Sequence, residues 1–211
     1  MSKFAIYQVL TRSYGNSVRH PIPNGDISQG GCGKFNDFTP KALKSIKNFG
    51  ITHIWYTGII RHASTTRYAN IPKNNISIVK GKAGSPYAIT DYYDVHPDLA
   101  DNIENRMFEF EKLVERTHNE GLNVIIDFIP NHLSREYKSL KKPSNIDDFG
   151  AKDNPLLAFN PQNNYYYITN DNLHLPFSSD FIESPAKASG NDIFHSYPKQ
   201  NDWYETIKLN Y

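Results

Sequence analysis

Cysteine is nearly absent. Cys32 stands alone among 211 residues, so no internal disulfide can form and an oxidising compartment is not implied. Its setting, Gly30-Gly31-Cys32-Gly33, reads as a flexible loop with no positioned base nearby, which argues against a nucleophilic thiol. Long apolar runs are missing as well: none approaches the ~20 residues of a membrane span, so no membrane partner is expected. Nor is there an excess of either charge. Lys and Arg number 23 against 22 Asp and Glu, and the net charge of +1 leaves no electrostatic case for nucleic acid. Basic runs of five or more residues are absent, and the few Lys pairs read as solvated surface. The opening Met1-Ser-Lys-Phe-Ala-Ile enters a strand-like run at once, leaving no room for a signal peptide. The expected location is the cytoplasm, or a secreted or periplasmic one if a signal peptide has been removed.

What is present is aromatic. The 14 Tyr and 12 Phe lift the aromatic share to 13%. Tyr joins a flat apolar ring to a hydroxyl, which suits stacking on sugar faces, although ordinary core and interface tyrosines are the plainer reading for most of them. The length allows one sizeable core, or one domain with a large insertion.

Along the chain, Phe4–Leu10 reads as a strand, followed by a Gly-, Pro- and Asn-rich loop from about 16 to 37. Thr39 and Pro40 then signal a helix start. Ala42, Leu43, Ile46 and Phe49 supply its apolar face and Gly50 its stop. Ile51–Tyr56 is a second strand, so strand, helix and strand make a parallel βαβ unit. After a long loop comes a second helix, with Asp101 as its cap and Ile103, Met107, Phe110, Leu113 and Val114 facing the core. The third strand, about Leu122 to Ile129, is short and β-branched, as in a parallel sheet buried on both faces. From Leu133 to about Asp202 no helix is expected. The β-prone pieces Tyr165–Thr169 and Leu173–Phe177 sit among Asn, Asp, Ser and Pro, which suggests a small irregular subdomain inserted after the third strand.

The third strand delivers Asp127-Phe-Ile-Pro-Asn131-His132, a carboxylate, an amide and an imidazole within six residues. Polar groups at the C-terminal end of a parallel strand mark an active-site rim in α/β barrels. Taken singly, Asp127 also reads as a buried structural carboxylate, Asn131 as a turn residue after Pro130, and His132 as a core histidine. The i, i+4 pair in His132-Leu-Ser-Arg-Glu136 lacks a second histidine and a helix, so zinc is not expected.

Several segments in order resemble the α-amylase family of glycoside hydrolases. These are Ile6-Tyr7-Gln8-Val9 with Arg12-Ser13-Tyr14-Gly15, then Ile51–Trp55, then Tyr87-Ala-Ile-Thr-Asp91-Tyr92, and then Asp-x-x-x-Asn-His at 127–132. The terminal Trp203–Tyr211 resembles the stretch before that family's fourth strand. One departure is local: Gly84-Ser-Pro-Tyr87 separates a glycine from a tyrosine that many relatives place side by side.

The resemblance implies an α/β fold, a partial TIM (β/α)8 barrel holding the first three strands. Residues 1–132 would be the N-terminal part of the catalytic barrel, 133–202 an inserted subdomain and 203–211 the lead-in to strand four. It implies an N-terminal fragment of a retaining α-glucan-active hydrolase acting on α-1,4-glucosidic bonds. The nucleophile and general acid are expected beyond Tyr211, so the chain alone is expected to be inactive. Tyr87 would stack on a sugar ring and His132 would donate to a sugar hydroxyl. Asp127 would order the barrel rim, Asp91 would be structural within the site, and Asn131 would offer its amide oxygen to Ca²⁺. Asp171, Asp180 and Asp192 are further calcium donors that nothing ranks. Expected partners are an α-glucan oligosaccharide or polysaccharide and the remainder of the catalytic domain, with self-association through the edges of an open three-stranded sheet. The alternative is a non-catalytic carbohydrate-binding or interaction protein on a truncated barrel scaffold.

Overall fold

The computed structural model describes residues 3–211, which divide into two compact units. The first comprises Met1–Arg61 and Asp94–Phe128, the second His62–Tyr93 and Ile129–Tyr211.

In the first unit the chain runs through β1 (Ile6–Leu10), α1 (Ile27–Gly30), α2 (Pro40–Asn48) and β2 (His53–Thr57). The division between the units falls within β3 (Ile60–His62) and β4 (Ile89–Val95), and the first unit goes on with α3 (Arg106–Asn119) and β5 (Asn123–Ile126). The strands β1, β2 and β5 form a parallel sheet in that order, with Ile6 opposite His53 and Ile54 opposite Val124. The helix α2 starts as its sequence dictates: Thr39 accepts from the Ala42 N–H (3.2 Å), Pro40 takes the first turn, and Gly50 closes at φ +82°. Phe38, Leu43, Ile54, Tyr56, Leu113 and Leu122 fill the core. There the Tyr56 hydroxyl meets Thr117 Oγ1 at 2.7 Å.

Three expectations fail in this unit. Phe49 is 85% exposed, because it is the residue at which α2 ends and its side chain has left the buried stripe. Asp101 is not the cap of α3. Asn102 caps a preceding 3₁₀ turn (Ile103–Asn105), while Glu109 reaches back to the N–H groups of Asp101 and Asn102 at 2.9 and 2.7 Å. Met107 is consequently exposed rather than core. Finally, β5 is not buried on both faces, because it lies at the sheet's edge and only one face is covered. Register decides which residues are covered. Val9, Ile54, Tyr56 and Val124 share the face that packs on the helices, whereas Ile6, Leu10, Trp55 and Ile125 share the other, where Ile6 is 52% exposed.

The second unit is mostly irregular. Its antiparallel pairs are β6 (His132–Ser134) with β9 (Thr206–Lys208) and β7 (Tyr167–Ile168) with β8 (Ala186–Lys187). Leu133, Tyr165, Tyr167, Ile207 and Leu209 form its core. No helix occurs among residues 133–202, as the sequence suggests. Leu173–Phe177, however, is not a strand. Pro176 removes one ladder donor, and the N–H groups of Leu173 and His174 go singly to the carbonyls of Glu183 and Ser196.

Candidate functional site

The sequence-derived residues divide between the two units. In the first, Asp127 lies just past β5. Its carboxylate accepts from the indole N–H of Trp55 at 2.6 Å and from the Gly58 N–H at 3.0 Å. Gly58, at φ +74°, turns the chain directly after β2. Asp127 therefore ties the end of β5 to the end of the central strand.

In the second unit the structure gathers Tyr87, Asn131 and His132. His132 opens β6 and is buried, with Nδ1 2.9 Å from Asn131 Oδ1 and a further hydrogen bond to the Tyr87 backbone. Burial pushes its imidazole pKa down. The Tyr87 hydrogen bond works against that shift, and the Lys208 charge adds to it. The ring is thus a neutral, oriented group at neutral pH. The Tyr87 side chain is 41% exposed, and its N–H is held by Ser85 Oγ at 3.3 Å. Asn131 is anchored at its carbonyl, which accepts from the Leu209 N–H at 3.0 Å.

Asp91 is fully buried and engaged elsewhere in this unit. It accepts from Ser139 Oγ (2.5 Å) and the N–H groups of Leu140 (2.7 Å) and Tyr93 (2.9 Å). Its bonds pin residues 139–140 to β4.

The oxygens expected to hold calcium do not gather. No group of three or more His, Cys, Asp or Glu positioned for a metal occurs among the described residues. Asn131 Oδ1 faces His132, Asp192 pairs with Lys208 at 2.6 Å, and Asp180 accepts from Asn75. Hydrogen bonds from Ser196 and then His174 hold the Asp171 carboxyl down to about 2. A hard cation needs several convergent oxygens, and here each is spent on a protein partner, so these residues do not fit calcium. Cys32 is no nucleophile either, since burial pushes its thiol up to about 11.

Three contributors escaped the sequence reading. Arg135, three residues beyond His132, is buried against Glu183 (2.6 Å), Ser189 Oγ (2.8 Å) and the Tyr204 carbonyl, fastening β6 from several directions. Gly190 approaches His132 so closely that a β-carbon there would stand 2.9 Å from His132 Cβ. The Trp203 ring lies 5.0 Å from the imidazole, centroid to centroid. All three depend on contacts across 48 residues or more, for which the sequence holds no local signal.

Residues 8–205 match the model of the alpha amylase catalytic domain. Among curated relatives, an alpha-glucosidase of Apis mellifera is 36% identical over 76% of this chain and 20% of its own length. Maltase A1 of Drosophila melanogaster is 28% identical over 67% of this chain and 18% of its own. The chain spans about a fifth of the length of the curated relatives it matches. A crystal structure of trehalose-6-phosphate hydrolase from Bacillus licheniformis covers 99% of this chain and 30% of its own, at a TM-score of 0.50 and 21% identity, a likeness of fold alone. With the family model covering nearly all of the sequence, the chain belongs to the α-amylase family of glycoside hydrolases.

Proposed function

We propose that the chain is the N-terminal part of a retaining, α-glucan-active glycoside hydrolase cleaving α-1,4 bonds. In this reading β1, β2 and β5 are the first three strands of a (β/α)8 barrel. Residues 133–202 are an inserted subdomain and 203–211 lead into the fourth strand. The observation that carries the proposal is the cluster of Tyr87, Asn131 and His132, in which a fixed neutral imidazole stands beside a tyrosine with an accessible ring. The tyrosine offers a flat face to a pyranose. A sugar hydroxyl reaching His132 takes over the hydrogen bond that the ring now makes with the Tyr87 backbone.

The reacting carboxyl groups belong outside these residues. Retaining hydrolysis needs two carboxyls roughly 5 Å apart, one nucleophile and one acid/base. Every buried carboxylate described here already serves a structural partner. Asp94 is bound by Arg106 and Asp98 faces His96. Glu183 pairs with Arg135 and Glu205 with Lys80, while Asp91 and Asp127 are engaged as above. Family membership favours this hydrolase reading over a non-catalytic binding protein. The test is reducing-sugar release from maltotriose by the 211-residue chain, with its purity verified by intact mass. No release is expected, and release that tracks the chain's own mass would overturn the assignment of the chemistry to other residues.

A further inference from the structure

Trp203 stands against the His132 ring and is only partly covered, with 42% of the residue exposed. The residue is nonetheless held firmly. Its N–H donates to Asn191 Oδ1 at 3.0 Å, and its carbonyl accepts from Thr206 N (3.0 Å) and Thr206 Oγ1 (2.9 Å). Asn191 is fixed in turn, donating to Asp202 Oδ1 at 3.1 Å. Thr206 is a residue of β9, paired with Ser134 of β6, the strand that His132 opens. These main-chain bonds place Trp203 beside His132, where the two rings lie 5.0 Å apart and tilted by 55°. The result is a partly open aromatic ring against the imidazole, which also meets the backbone of Tyr87.

Resting on the sugar-binding reading above, we propose that Trp203 is a second stacking platform and takes a glucose unit adjoining the one at Tyr87 and His132. It thereby sets a preference for oligosaccharides over single glucose. An indole face offers broad apolar contact to the C–H face of a pyranose, while its neighbours leave the sugar hydroxyls in water. An indole beside the imidazole that also meets the Tyr87 backbone suits the glucose unit next to the first and gives a monosaccharide no advantage.

Two measurements on the 211-residue chain test this. The first is equilibrium dialysis of labelled maltotriose and labelled glucose. Trp203→Ala should weaken maltotriose binding roughly tenfold and glucose binding less than about twofold, and Trp203→Phe should restore most of the loss. The second is oxidation of tryptophan by N-bromosuccinimide, read by peptide mass. The chain has two tryptophans, and Trp55, with its indole N–H on Asp127, serves as the internal reference. Bound maltotriose should slow oxidation of Trp203 severalfold and leave Trp55 unchanged. Maltotriose binding that survives Trp203→Ala but is lost in His132→Ala would overturn the role of Trp203 and leave the sugar site standing. Absence of maltotriose binding by the unsubstituted chain would overturn both. Should Trp203→Ala fail to fold, the oxidation rates of the unsubstituted chain decide alone, and an unprotected Trp203 in the bound state would refute the proposal.

Discussion

A methyl group at position 190 has nowhere to go. It would stand 2.9 Å from His132 Cβ and 3.1 Å from Cγ, with Thr206 Oγ1 closer still. These are backbone-proximal atoms of paired strands, not the ends of flexible side chains, so relief requires moving β6 against β9. Gly190→Ala should therefore cost about 1–3 kcal/mol and displace the imidazole. Thermal unfolding with an unchanged midpoint would show that the 189–193 segment yields freely. Histidine titration gives a second expectation at this scale. Burial lowers the pKa of both His132 and His96, and for His96 the Arg12 and Arg61 charges act in the same direction while Asp98 opposes. A group with a lowered native pKa binds fewer protons folded than unfolded, so stability rises with pH across its titration. The loss begins as pH falls through 6.5, the ordinary histidine value, and continues until the native rings protonate. Denaturant midpoints should thus be lower at about pH 5 than at about pH 7, before the carboxylates titrate, and His96→Gln should flatten the slope. Equal midpoints at the two pH values would contradict the burial argument.

Among the elements, the parallel sheet carries the plainest consequence. With β2 in the centre, β1 and β5 each leave one row of backbone groups unpaired by the sheet. The face away from the helices bears Ile6, Leu10 and Ile125, while Phe128, just past β5, is 74% exposed. Such a surface invites a further strand, either from the rest of a catalytic barrel or from a second copy. The isolated chain is expected to associate at micromolar concentration by light scattering, and a charge placed at Ile6 should reduce the association. A monodisperse monomer under those conditions would show that the open face is tolerated in water. Sequence patterns indicate this sheet because each strand and helix is locally periodic. Which side a residue takes is set only by register and pleat, which turn Val9 and Val124 to the helices and Ile6 and Ile125 to the open face.

At the scale of the whole molecule, what the sequence reveals follows contact distance. The α2 start at Thr39-Pro40 and the helix-free stretch from 133 to 202 rest on neighbours in sequence, and both are readable, while the β1–β2–β5 order is readable only through the alternation of strand and helix. The clustering of His62–Tyr93 with Ile129–Tyr211 is not readable, because it depends on contacts such as Lys138 N–H to the Thr90 carbonyl that no periodicity encodes. The site shares that division. Tyr87 and His132 are individually visible as motif residues, but their meeting, and the closing of Trp203 and Gly190 around the imidazole, arise only in the folded second unit. That this unit holds a sugar is tested most directly by calorimetric titration of the chain with maltotriose, comparing the unsubstituted protein with His132→Ala. The expected result is saturable binding weakened roughly tenfold or more by the substitution at a temperature where both proteins are folded. Equal affinity in the two proteins would contradict it.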